Sequence, residues 1–483
     1  MIRSVLALAF LLVAASVSAQ PDLGETTFDN SGSEAAQEPF LRGLLLLHSF
    51  EYDDARAAFQ EAREIDPDFA MAAWGEAMTH NHPVWQQQDR EAALDALARL
   101  GDDWAEAGET AREDAYLATL AVLYGDGDKE DRDDAYAREV GRLAAAYPDD
   151  LDAQAFHALA ILGTAHEGRD FATYMKAAAI AEDVFAENPR HPGAAHYLIH
   201  AYDDPIHAPL GLRPALVYDQ IAPSASHALH MPSHIYLALG MWDRVAEMNE
   251  RSFEAARAGT DARGEPLNGH GWHALWWWHY AETQRDDPEA AQDLLALAQD
   301  LADADSDNST AQPHIVRIAA QHAVAYPGSD VWARLDFPDA ANLNSRAIYD
   351  LASGWSALAD NANTAARDAA DALLAAVEAT DDPSWAARSG AAVLDGLVRL
   401  GEGDTEAGIA RLREAAAIEN AAPLTFGPPS PVVPSNEALG IALLRIGQPA
   451  EAADAFRAAL DRAPGRRQSV AGLAEAERLM AGR

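Results

Sequence analysis

Hydrophobic positions recur along this chain at the three-to-four-residue spacing of amphipathic helices. Ala, Leu, Glu and Arg, which favour helices, dominate the periodic segments, whereas the alternating runs typical of strands are absent. Residues 423–434 break the pattern, because several prolines there exclude a helix interior. The pattern therefore predicts an all-α protein with an ordered loop before its last helices.

Two sets of small and aromatic residues, one near each end of the chain, share one spacing. The first set is Gly43, Ala55, Phe59, Ala62 and Pro67, and the last is Leu439, Gly440, Ala452, Phe456, Ala459 and Pro464. The spacing is that of the 34-residue tetratricopeptide repeat (TPR), a helix pair. Its small residues let the two helices approach, its Phe fills the gap, and its Pro ends the second helix.

The chain therefore resembles bacterial exported TPR-repeat proteins. Residues 68–78, 191–197 and 230–234 also carry the resemblance. It implies a TPR-like α-solenoid of stacked antiparallel helix pairs, with a concave groove that binds a partner. It implies no particular reaction.

The expected organisation follows from the repeats and the segments between them. It comprises a secretory signal peptide (1–19), a flexible lead-in (20–35), an N-terminal array with a histidine-rich groove (36–300), an acidic loop (301–313) and a C-terminal array (314–483).

The first residues have the order of a secretory signal. Arg3 precedes the apolar stretch 5–13, and the small residues 17–19 predict cleavage after Ala19. We expect a periplasmic or secreted protein. The apolar stretch is too short to span a bilayer, and no later one is long enough, so we expect no membrane insertion.

Composition narrows the possible partners and chemistry. The sequence has 77 acidic and 35 basic residues and a formal net charge of −42. Nucleic acid is therefore not expected as a partner, because phosphate binding needs a basic surface. The chain has no cysteine, which excludes disulfides, thiolate metal ligands and cysteine nucleophiles.

Two histidine pairs are the most informative chemical feature. His196 and His200 are four residues apart, and His230 and His234 repeat that pair 34 positions later. Counting TPR positions from Pro189 and Pro223 places both pairs at groove-facing positions 5 and 9. Residues four apart share one helix face, and neighbouring helices lie roughly 8–10 Å apart. The four imidazoles are therefore predicted to surround one metal ion.

Further residues are placed near the groove by the same counting. His273 is an additional candidate ligand, and the predicted groove contacts are Trp74, Asn81, His82 and Trp276. Trp276 belongs to a tryptophan run that is either core and groove wall or a platform for a ligand.

Two functions remain open at this stage. In the first, the groove binds a transition metal, with copper or zinc expected because neutral imidazole suits both. An enzyme built on that site would use Glu76 or Asp203 as a proton acceptor. In the second, the protein is a non-catalytic scaffold whose groove histidines contact a protein, peptide or small molecule. Phosphate-binding loops, nucleophile elbows and His-Glu-x-x-His pairs are absent from the sequence.

Overall fold

The computed structural model of the chain describes residues 21–305, 309–335 and 342–482. The predicted signal peptide and its cleavage site lie outside these residues. The all-α expectation is confirmed, since the only strands in the described ranges are Asn81–His82 and Gln87–Gln88, which form one antiparallel pair.

The helices are numbered in chain order. From the N-terminus to the middle of the chain they are α1 (Gln37–His48), α2 (Tyr52–Ile65), α3 (Ala70–Met78), α4 (Arg90–Ala98), α5 (Ala111–Leu123), α6 (Lys129–Ala146), α7 (Leu151–Leu162), α8 (Phe171–Glu187), α9 (Pro192–Tyr202), α10 (Ala208–Ala215), α11 (Tyr218–Ile221), α12 (Ser226–His230), α13 (Pro232–Ala238), α14 (Trp242–Arg263), α15 (Gly269–Arg285) and α16 (Pro288–Ala304). The remainder are α17 (Ala311–Ala325), α18 (Leu343–Ala359), α19 (Asn363–Glu378), α20 (Trp385–Gly401), α21 (Thr405–Ala421), α22 (Ser435–Arg445), α23 (Pro449–Arg462) and α24 (Arg467–Ala481).

Successive helices pack on one another along the chain, which makes the fold a TPR-like α-solenoid. The residues of the two terminal repeats take the roles that their spacing predicted. A Cβ atom at Gly43 would lie 2.9 Å from the ring of Phe59, and one at Gly440 would lie 2.8 Å from the ring of Phe456. Glycine is thus required where each pair of helices closes on its aromatic ring.

The segment before α1 differs from the flexible lead-in that the sequence suggested. It is extended, but Leu23 and Phe28 are buried in the core. Distant repeats also form hydrogen bonds with side-chain and backbone groups of this segment. For example, Thr26 Oγ1 donates to Asp152 Oδ2 at 2.8 Å, and the Asn188 side chain donates to the Glu25 carbonyl at 2.9 Å. Burial of its apolar residues holds this segment against the array.

The other end of the chain also returns to the middle of the array. Trp242 donates from Nε1 to the carbonyl of Gly465 at 3.0 Å. The buried guanidinium of Arg466 pairs with Glu437 and donates to the hydroxyl of Tyr280 at 3.2 Å. The last two helices therefore brace the helices around residues 240–285.

The predicted acidic loop is shorter than 301–313, because α16 continues to Ala304 and α17 begins at Ala311. None of the helices in the described ranges combines the length and the apolar character needed to cross a membrane.

Candidate metal centre

Six histidine side chains converge as two groups of three. Triad 1 is His196, His200 and His227, and triad 2 is His230, His234 and His273. Within each triad, one ring nitrogen from every member lies within 4.8 Å of the others. Two nitrogens each bound at about 2.0 Å to one ion lie at most about 4.0 Å apart, so a triad near the 4.8 Å limit must close slightly to bind it.

Helix geometry accounts for the convergence. His196 and His200 lie one turn apart on α9, and His227 and His230 lie on α12. Pro232 then begins α13, whose first turn carries His234, and α15 supplies His273. Five of the six side chains are buried, and His273 alone is partly exposed.

The protein fixes the orientation of one ring in triad 1. His196 Nδ1 lies 2.7 Å from the backbone carbonyl of His48, which can only accept, so Nδ1 carries the proton. The lone pair of His196 is then on Nε2, which faces His200 Nε2 at 3.1 Å. His227 Nε2 is buried and has no hydrogen-bond partner among the residues that the structure describes.

Triad 2 is fixed more completely. His230 Nδ1 lies 2.6 Å from Asn249 Oδ1. Because the amide nitrogen of Asn249 donates to the Val245 carbonyl at 2.7 Å, its oxygen must be the acceptor. His234 Nδ1 donates to the buried carboxylate of Asp203 at 2.6 Å. Both Nδ1 atoms are therefore protonated, while the two Nε2 atoms lie 2.9 Å apart.

Burial favours the neutral form of five of these six imidazoles. Desolvation lowers the pKa of His196 to about 3. Desolvation is also the largest cause that lowers the pKa values of four other triad histidines well below the ordinary histidine value. These are His200, His227, His230 and His273. Neutral imidazole is the form that binds metal ions.

The two triads adjoin each other. The ring centroids of His200 and His234 are 6.0 Å apart, as are those of His227 and His230. Two pairs of neighbouring rings, each with one ring from either triad, thus link the two triads.

Aromatic residues border the partly exposed side of triad 2. The ring centroids of His273 and Trp276 are 5.5 Å apart. Trp276 also lines a cleft of about 290 Å³, whose other wall includes Phe426 from the loop before α22. The ring of Phe426 lies 5.8 Å from that of His234, so this loop reaches triad 2.

The five histidines predicted from the sequence as ligands all lie in this centre, but the predicted quartet is divided between the two triads. His227 was missed, although the His227, His230 and His234 spacing of three and four residues marks one helical face. Asp203, predicted as a proton acceptor, lies in the centre and accepts from His234.

The remaining predicted residues occupy other environments. Trp74 is 1% exposed and packs between Tyr116 and Phe156 in the N-terminal core, so it does not line a groove. Glu76 is paired with Arg63 and not with a histidine, which removes it as the expected proton acceptor.

The two predicted groove contacts Asn81 and His82 lie beside α1 and α2. Asn81 is buried and accepts from Gln88, and His82 stacks on Tyr52 with ring centroids 3.9 Å apart.

A third cluster contains His48, Asp152 and His191. His48 uses both ring nitrogens, with Nδ1 2.9 Å from the hydroxyl of Tyr197 and Nε2 2.8 Å from Asp152 Oδ1. His191 Nδ1 accepts from the amide of Ala194 and so caps α9. This cluster is a hydrogen-bonded support that positions the His48 carbonyl beneath triad 1.

Comparisons with known proteins give only distant structural likenesses. No protein-family model matches the sequence, and no curated protein matches it. Among solved structures, Cut9 in the APC/C hetero-tetramer Cut9-Hcn1 is 12% identical, with a TM-score of 0.36 over 93% of this chain and 78% of that one. Yeast Tom70 is 10% identical, with a TM-score of 0.37 over 94% of this chain and 97% of its own. The human IFIT1 dimer with PPP-AAAA is 11% identical, with a TM-score of 0.39 over 94% and 96%. At these values the likeness carries no conclusion about function.

Proposed function

We propose that the protein is an exported TPR-like protein that binds transition-metal ions through its two histidine triads. The observation that supports this most directly is the pair of facing nitrogens in triad 2. Both His230 and His234 have Nδ1 committed as a donor, so in the neutral rings both Nε2 atoms carry lone pairs at 2.9 Å. Two lone pairs at that distance repel unless a proton or a metal ion lies between them.

The supporting hydrogen bonds are of the kind that orients metal ligands. Ligating histidines commonly donate their second ring nitrogen to a carboxylate or a carbonyl, which fixes the ring and raises its basicity. Here a backbone carbonyl holds His196, an amide oxygen holds His230, and a carboxylate holds His234. One centre therefore contains three such supports from three different helices or their ends.

Each triad offers three ligands, which leaves a coordination position free on a tetrahedral ion. Three protein ligands with an open position are typical of catalytic sites, whereas structural sites are closed by four. This feature favours a metal-dependent enzyme over a structural metal site.

Metal analysis of protein prepared without a histidine tag tests the proposal. We expect at least about one equivalent of copper or zinc after reconstitution, because three convergent imidazoles, of which one in triad 1 and two in triad 2 are oriented by hydrogen bonds, form a metal site. The double variant His200→Ala/His234→Ala, which removes one ligand from each triad, should lose most of it. His157→Ala, a histidine on α7 outside both triads, is the matched control and should bind as the wild type does.

A metal content below about a tenth of an equivalent in reconstituted wild-type protein refutes the proposal, since an oriented three-histidine site should fill at micromolar metal. Equal metal in the wild type and the double variant also refutes it, because the ions would then be bound elsewhere.

A non-catalytic scaffold is the second candidate, and the cleft of about 290 Å³ between Trp276 and the loop containing Phe426 favours it. In that function the cleft holds a peptide or small molecule. The buried histidines are poorly placed as contacts, because His196, His200, His230 and His234 are each at most 6% exposed. If the double variant binds no metal but still binds a partner as tightly as the wild type does, this candidate is favoured.

Export is proposed from the sequence before Ala19. N-terminal sequencing of protein recovered from the periplasmic fraction should begin at Gln20. Recovery of the uncleaved chain in the cytoplasm would contradict export.

A further inference from the structure

We infer that the two triads act together as one dinuclear copper centre that binds dioxygen between its two ions. This inference rests on the proposed metal binding and deepens it, by assigning the number of ions, their identity and the small molecule that they take.

The first observation is the distance between the triads. Ring pairs from different triads, His200 with His234 and His227 with His230, have centroids 6.0 Å apart. With metal–nitrogen bonds of about 2.0 Å, ions held by such closely spaced rings lie near enough to share one small bridging ligand. Dinuclear sites in proteins bridge ions about 3.5–4 Å apart in this way.

The second observation is the donor set. Both triads consist of imidazoles, which bind metal as neutral ligands, and among the described residues neither includes a carboxylate. The carboxylate that contacts triad 2 is that of Asp203, which accepts a hydrogen bond from His234. Two divalent ions would add four positive charges to a buried site whose two neighbouring carboxylates are Asp203, bound to His234, and Glu51, which accepts from the backbone amide of His227, and this is costly. Two cuprous ions add only two, and imidazole is a suitable ligand for copper.

The third observation is the route by which dioxygen reaches the ions. His273 is the one partly exposed ligand, and Trp276 and the Phe426 loop border that side. A diatomic gas can enter beside such aromatic side chains, while the buried ligands exclude bulk water from the ions.

The binding step balances without any further reactant. Each of the two cuprous ions gives one electron to dioxygen, which becomes a bridging peroxide while its O–O σ bond is kept. Both ions become cupric, and no proton is taken up. Ascorbate, a two-electron reductant, supplies the two electrons that return a cupric pair to the cuprous state in the test below.

Paramagnetic resonance combined with copper analysis tests the inference. Copper-loaded wild-type protein is reduced anaerobically with ascorbate, freed of excess reagent and exposed to dioxygen. We expect about two coppers per chain, and unpaired spins amounting to less than about a tenth of that copper, because a bridging ligand couples the two ions. A peroxide-to-copper absorption band should appear with dioxygen and should be absent from zinc-loaded protein.

One ligand from each triad is then replaced separately. His273→Gln and His227→Gln retain side-chain volume but remove an imidazole from one site. Each should retain about one copper that shows its full spin, and should lose the peroxide band. His157→Gln is the matched control and should retain the coupled pair. Circular dichroism and thermal melting of the metal-free proteins show whether each variant is folded.

The outcomes separate the inference from the proposed function. Wild-type protein that binds one copper, or two coppers with full spin and no peroxide band, refutes the dinuclear centre and leaves metal binding intact. Wild-type protein that binds no metal refutes both. The wild-type spin count and peroxide band together decide the question even if a variant does not fold, because cuprous ions that have not reacted also lack unpaired spins and show no such band.

Discussion

Asp203 should control metal affinity without touching the metal. Its carboxylate, 2% exposed, accepts from His234 Nδ1 at 2.6 Å and so holds the second nitrogen toward triad 2. In Asp203→Asn the amide has no negative charge, and its NH₂ end can turn toward Nδ1 and favour the wrong tautomer. Loss of such an outer partner typically reduces metal affinity about 10–100-fold. This corresponds to about 1.4–2.7 kcal/mol of binding free energy.

The same change should appear in stability. At a free metal concentration of about 1,000 times the wild-type Kd, binding stabilises the folded protein by about 4.1 kcal/mol. A Kd raised 10- or 100-fold reduces that contribution to about 2.7 or 1.4 kcal/mol. Competition with a chelator of known affinity measures Kd, and urea unfolding with and without metal measures the stability difference.

Asp350→Asn provides a matched control, since Asp350 is also a buried carboxylate, bound to Arg346 in α18 and remote from the histidines. It should leave metal affinity unchanged while altering stability in the metal-free state. If Asp203→Asn changes Kd less than twofold, or if its stability loss is equal with and without metal, the reasoning about the His234 tautomer is wrong.

Three other perturbations test separate parts of the structure. His279 and His322 are buried with Nε2 and Nδ1 3.1 Å apart, and burial lowers the pKa of His322 to about 4. The unfolded chain takes up protons near pH 6.5, so their stabilisation is complete above that pH and is lost as the pH falls toward 4. The metal-free protein should lose about 1.4 kcal/mol per pH unit for each such histidine, and His279→Leu/His322→Leu should make urea unfolding less pH-dependent. Gly440→Ala should cost about 1–3 kcal/mol in urea unfolding, because its Cβ meets an aromatic ring at 2.8 Å; unchanged stability would contradict the close packing. Phe426→Ala should accelerate metal removal by a chelator several-fold without changing stability in the metal-free state, and an unchanged rate would mean that the loop does not cover the site.

The repeats and their helix type could be predicted because the determinants are local. Gly43 and Phe59, and likewise Gly440 and Phe456, are joined by one helix pair, and their spacing alone specifies the contact that the structure contains. His196 and His230 could be brought together for the same reason, since one repeat period separates their positions.

The completed centre could not be predicted, because its supports come from distant parts of the chain. The His48 carbonyl belongs to α1, Asn249 to α14, and Phe426 to an irregular loop. Nothing in repeat spacing brings these elements to α9 and α12. The division into two triads could not be predicted either, since a strict 34-residue count treats His196 and His230 as equivalent positions that face one ion. His227 and His273, which complete the triads, have no equivalent partners one repeat away.

The support beneath triad 1 and the loop over triad 2 come from opposite ends of the chain, and this dictates when the centre can form. A growing chain folds from its N-terminus. His48 and α9 are thus in place before the segment containing Phe426 is made. Triad 2 remains uncovered until the last helices return to brace the middle of the array. If the triads bind metal as proposed, loading would be open after the four ligand-bearing helices have packed and before the C-terminal segments close over them.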